Sequence, residues 1–148
     1  MNEKYILNTN KLHKENLDLI INVNNSKQSH GVIFFDDDDI NTIKEKKYYR
    51  VQLNFTENKL YIITKKNSLK KYNFNDHILG NIELWNANNV FNDINKNKKF
   101  CIEIVYNKGK KIIEGKYDEE NNKILFNIKK KRKDISIFNI KTILFNLK

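Results

Sequence analysis

Proline is absent from the 148 residues, cysteine occurs once, alanine once, arginine twice and glycine four times. Each shortage closes a route. A single thiol, Cys101, makes no intramolecular disulfide, and it and the three histidines have no zinc-ligand spacing, so burial alone must hold the fold. With four glycines there is no Gly-x-Gly-x-x-Gly run and no Walker loop to cradle a phosphate. Arg50 and Arg132 are the only planar cations available to read guanine, which disfavours specific base recognition. The longest apolar run, Val32-Ile33-Phe34-Phe35, falls far short of the ~20 residues that span a bilayer. The start, Met1-Asn2-Glu3-Lys4-Tyr5-Ile6-Leu7-Asn8, turns polar too soon for a secretory signal, and a cytoplasmic protein is the expectation.

What is abundant is asparagine (26), lysine (26) and isoleucine (21), the footprint of AT-rich coding DNA. Leu, Ile, Val and Phe supply 47 residues, enough for a core, since charged chains stay disordered below about 20% of these types. The length fits one domain over 1–148. Asparagine competes for backbone hydrogen bonds and isoleucine loses rotamer freedom in a helix, so sheet is favoured. The fold expected is α+β and mainly antiparallel β, with hairpins, a C-terminal three-strand meander and one to three short helices.

The clearest hairpin joins residues 48–55, where Tyr49, Val51, Leu53 and Phe55 alternate with Arg50, Gln52 and Asn54, to residues 59–64 across Thr56-Glu57-Asn58. The meander runs through 100–106, 110–117 and 123–129, with turns at Asn107-Lys108-Gly109 and at 118–122. Phe100, Ile102, Ile104, Tyr106, Ile113, Tyr117, Ile124, Phe126 and Ile128 then share its core face. Further strands are expected at 4–8, 31–36, 69–74 and 81–85. Helices are expected at 10–23, through Leu12, Leu19, Ile20 and Val23, and at 39–46 and 86–95. The tail carries both signals: Ile137, Ile140, Leu144 and Leu147 have helical spacing behind Asp134, while β-branched content favours strand.

The net charge of +10 is not spread evenly. Residues 1–95 hold 13 Lys/Arg and 12 Asp/Glu, whereas residues 96–148 hold 15 and 6. In the expected meander, Lys108, Lys110 and Lys111 converge with Lys129, Lys130, Lys131, Arg132 and Lys133 at one edge, a basic pole suited to an acidic protein surface, a nucleic-acid backbone or anionic lipid. Its bland counterpart is a solvated turn whose lysines block strand aggregation.

Candidate chemistry is sparse. Asp36-Asp37-Asp38-Asp39 has the residue type for Mg²⁺ or Ca²⁺ but no calcium-loop glycine, and it serves equally as a solvated helix start. Asp93 with Glu114-Gly115-Lys116 is similar to the Asp…Glu-x-Lys pattern of metal-dependent nucleases, yet Glu45-Lys46-Lys47 matches Glu-x-Lys as well in so lysine-rich a chain. His13, His30 and His77 are dispersed, and Cys101 has the pattern of a small semi-buried residue. Trp85 suits a core position or an interface equally. No catalytic residue, metal or cofactor is assigned. The function expected is a small non-catalytic binding protein, an inhibitor or immunity-type accessory factor of bacterial, phage or viral origin, using the basic pole. The alternatives are a sequence-nonspecific nucleic-acid binder and a divergent metal-dependent nuclease.

Overall fold

The computed structural model describes residues 16–35, 49–66, 78–95, 97–128 and 135–147. They form nine strands: β1 (Leu17–Asn22), β2 (Gln28–Phe35), β3 (Tyr49–Thr56), β4 (Lys59–Lys66), β5 (Leu79–Trp85), β6 (Phe100–Tyr106), β7 (Gly109–Asp118), β8 (Lys123–Asn127) and β9 (Ile140–Leu147). The sheet order is β1-β5-β8-β7-β6-β9-β4-β3-β2, with β1 and β5 parallel and every other pair antiparallel. The sheet curls until its two edge strands nearly meet, giving an almost closed, mixed barrel. A narrow cleft of about 70 Å³ between β1 and β2, floored by Phe55 and Leu60, marks where closure stops.

The α+β expectation is therefore corrected, because the described residues hold no α-helix, only 3-10 turns at Ala87–Asn89 and Ile137–Asn139. The helix expected at 10–23 is overturned by β1: Leu19 and Ile21 are buried and Ile20 is 54% exposed, a period of two. The apolar string Leu17-Asp18-Leu19-Ile20-Ile21-Asn22-Val23 satisfies both periods, and pairing with β5 decides between them. Of the helix expected at 86–95 only the short turn at Ala87–Asn89 forms. The tail is strand β9, paired along its length with β6. Residues 4–8, 10–15, 39–46 and 69–74, with residue 36 of the strand expected at 31–36 and residue 129 of that expected at 123–129, lie outside the described residues.

The core fills the barrel with inward-facing side chains from all around it, among them Phe55, Ile82, Leu84, Ile102, Ile104, Ile113, Ile124, Phe126, Ile143 and Phe145. Phe145 is central, meeting Phe55 and Phe126 edge to face at 5.5 and 5.6 Å, a favourable aromatic geometry. The corner of the barrel is made by β7. Its residues up to Gly115 pair with β6, while Lys116–Asp118 pair with β8. Gly115 stands at that change of partner because the Phe126 ring lies where a Cβ would be.

Beside β1 the register shifts, leaving an extra residue in β5 near Gly80-Asn81. Asp18 accepts a hydrogen bond from the Asn81 N–H at 2.8 Å, and Ile128 donates to the Gly80 carbonyl at 3.0 Å. The backbone groups freed by the irregularity are thereby paired.

Candidate functional site: an asparagine rim at one end of the barrel

Strands β1, β5 and β7 end together, and their turns are built from asparagine. The β1–β2 turn is organised by Asn24, whose Oδ1 accepts from the Ser26 and Gln28 N–H groups at 3.0 and 2.9 Å. Asn86 follows β5 with φ 56°, and Asn122 closes the β7–β8 turn with φ 50°. Both lie in the left-handed region, which asparagine visits more readily than other side-chain-bearing residues.

These turns are laced together. The amide of Asn86 donates to Asn22 Oδ1, and that of Asn122 to Asn88 Oδ1. Asn89 donates to the Val23 carbonyl at 3.0 Å, and the Ala87 N–H to the Asn122 carbonyl at 3.2 Å. The result is an open concavity of about 500 Å³ lined by Asn22, Val23, Asn24, Asn25, Asn86, Asn88, Asn89 and Asn122. Seven of those eight residues are asparagine, and none is charged.

A second concavity of about 740 Å³ adjoins it through Asn88 and Asn122 and adds Phe91, Tyr117, Asp93 and Glu119. Phe91 and Tyr117 are half-buried and flank the buried Phe100, each with ring centroids 5.7 Å from it. Nearby, Asp118 accepts from Asn121 through both its backbone and its amide, and the side-chain bond is the chief cause holding its carboxyl below the usual range.

Trp85, next to Asn86, sits half-buried. Its indole N–H donates to Glu83 at 2.9 Å, Lys123 reaches the other carboxylate oxygen at 3.3 Å, and the Lys123 ammonium lies 4.8 Å from the ring centre. The Trp85 hydrogen bond first, and Lys123 after it, hold the Glu83 carboxyl below its ordinary value against the opposing effect of burial.

The expected basic pole is described only in part. Lys108 and Lys110 are exposed and Lys111 is half-buried around the β6–β7 turn, with Lys110 bridging to Glu103 at 3.1 Å. Lys129, Lys130, Lys131, Arg132 and Lys133 lie outside the described residues, as do Asp36–Asp39, His13 and His77. The ten residues of β7 separate this turn from the asparagine rim, about 30 Å at ~3.3 Å per residue. Cys101 is buried, His30 and Glu114 are exposed, and among the described residues no group of three His, Cys, Asp or Glu side chains could hold a metal ion. No helix among them is long and apolar enough to cross a membrane.

The rim was invisible in the sequence for two reasons. Asparagine is everywhere in this chain, and the doublets Asn24-Asn25, Asn88-Asn89 and Asn121-Asn122 read as unrelated turns. The signal available was their position at the ends of strands; what joins them is the parallel pairing of β1 with β5 and the antiparallel pairing of β5 with β8.

No family model and no curated protein matches the sequence. Among solved structures, the glucosidase II alpha subunit bound to Glc1Man2 superimposes with a TM-score of 0.63 at 14% identity, over 87% of this chain and 15% of that one. The DNJ-bound form of that subunit gives 0.63 at 14% identity over 87% and 14%. A heterodimeric complex of the ER glucosidase II catalytic subunit with the binding domain of its regulatory subunit gives 0.59 at 13% identity, over 87% and 14%. This chain spans about a seventh of those chains, and the likeness is one of fold.

Proposed function

We propose that this chain is a non-catalytic binding module that works by surface contact, and that the contact is the asparagine rim. The observation that carries this reading is the composition of the concavity, seven asparagines among eight lining residues drawn from three separate parts of the chain. Amides offer donors and acceptors without charge, which suits holding a ligand more than activating a nucleophile. Occurrence of a similar fold as a small part of a glucosidase II subunit supports reading it as a module.

A second reading keeps a polyanion as the partner. It is favoured by the lysines around the β6–β7 turn, where among the described residues Lys110 pairs with Glu103 while no carboxylate is within ion-pair reach of Lys108 or Lys111. The two readings separate by calorimetric titration of the full chain with a DNA duplex, a polyglutamate peptide and neutral oligosaccharides, a readout that senses binding at either end of the barrel. The rim reading predicts a saturable response that Asn22→Ala with Asn88→Ala removes and Lys108→Ser with Lys111→Ser leaves intact. The polyanion reading predicts the reverse, with log K falling as log salt rises by about 0.9 per phosphate neutralised. Chemical turnover of any probe contradicts both.

A further inference from the structure

Resting on the rim as the contact surface, we infer that its ligand is a neutral glycan, held by the asparagine amides at its hydroxyls and packed against Phe91 and Tyr117 through its ring C–H groups. Three observations converge. First, the amide nitrogens of Asn22 and Asn88, whose oxygens already accept from Asn86 and Asn122, have no partner among the described residues. Each therefore presents two N–H donors from a position fixed by its neighbour. A sugar hydroxyl both donates and accepts, so a dense array of neutral amides meets several adjacent hydroxyls with few groups left unpaired.

Second, the adjoining concavity adds what amides lack. Asp93 and Glu119 supply carboxylates that accept from neighbouring O–H groups, and Phe91 and Tyr117 supply aromatic surface. Aromatic surface beside polar groups matches the two sides of a pyranose, apolar on its C–H face and polar at its edge. Third, the charge is wrong for the main competitor. No lysine or arginine lines either concavity, and the two charges present are negative, so a phosphate backbone is repelled. A peptide in search of apolar pockets finds little in the first concavity, where the single apolar residue, Val23, is 1% exposed.

The shared residues Asn88 and Asn122 make the two concavities one continuous surface, which fits two or more linked sugars better than a monosaccharide. Both are open, and water bridges are expected to complete the contacts.

The test is calorimetric titration of the full chain with maltotriose, mannotriose, cellotriose and chitotriose, with glycerol as an acyclic polyol and a DNA duplex as a polyanion. At least one trisaccharide should bind with a dissociation constant of about 1 mM or tighter. Asn88→Ala and Glu119→Gln should each weaken it about tenfold. Both side chains are exposed, and an unchanged melting temperature confirms that each variant folds. Equal response to glycerol overturns the proposal, as does silence toward every trisaccharide up to about 10 mM. If the duplex binds and the rim variants abolish it, the rim stands and the glycan class falls. If a trisaccharide binds both variants as tightly as the parent protein, the rim itself is wrong.

Discussion

At the residue scale, asparagine carries two unlike duties here. Asn86 and Asn122 are turn residues because their backbones are left-handed, a conformation costing other side chains roughly 1–2 kcal/mol. Asn22 and Asn88 are surface groups whose amides face outward. The sequence could show that asparagine punctuates the chain, but codon bias concealed that some of it is concentrated. Asn86→Ala should lower stability by about 1 kcal/mol and Asn86→Gly by less, measured by urea denaturation, since glycine restores the backbone freedom but not the bond to Asn22. Equal losses would place the cost in the side-chain bond. Glu83 makes a separate prediction. Its folded pKa is depressed by Trp85 and Lys123, so its stabilisation is fully present above the unfolded carboxyl value of about 4.3 and disappears as pH falls through the lower folded value. Thermal melts should show Glu83→Gln less stable than the parent at pH 7, with the gap closing toward pH 3. A gap independent of pH would mean that the carboxylate's charge contributes nothing.

At the element scale, local pattern was legible where partners are neighbours in sequence. The hairpin of β3 with β4 and the succession β6, β7, β8 follow from alternation and turn chemistry, and their inward residues are those with period two. Legibility failed for β1, whose string of apolar residues fits helix or strand and whose partner β5 lies some 60 residues away. It failed again for the corner, because nothing in Glu114-Gly115-Lys116 announces that β7 changes partner. Gly115→Ala tests the corner directly. The added methyl must displace the Phe126 ring from the core, and overpacking of this kind costs typically 1–3 kcal/mol. Gly31→Ala, where nothing lies within 4 Å of the new Cβ, is the control and should cost less. Similar denaturation midpoints for the two variants would show that the close approach is not what glycine serves.

At the scale of the whole molecule, the barrel sorts its functional candidates to opposite ends. Lysines gather at the β6–β7 turn and asparagines at the β7–β8 turn, with the strand between them keeping the two apart. The charge skew toward residues 96–148 was visible in the sequence, whereas the uncharged rim depends on a strand order that composition cannot supply. The expected α+β arrangement failed at the same level: with one alanine and 21 isoleucines the chain favours strands even where apolar spacing allows a helix.

The most direct measurement is a nitrogen-15 NMR titration with the neutral trisaccharide that binds best, following side-chain amide as well as backbone signals. Shifts are expected at Asn22, Asn24, Asn25, Asn86, Asn88, Asn89 and Asn122 and at the backbone of Phe91, Asp93, Tyr117 and Glu119, with residues 107–111 silent. Shifts centred on Lys108, Lys110 and Lys111, or none at the rim amides at saturation, would contradict it.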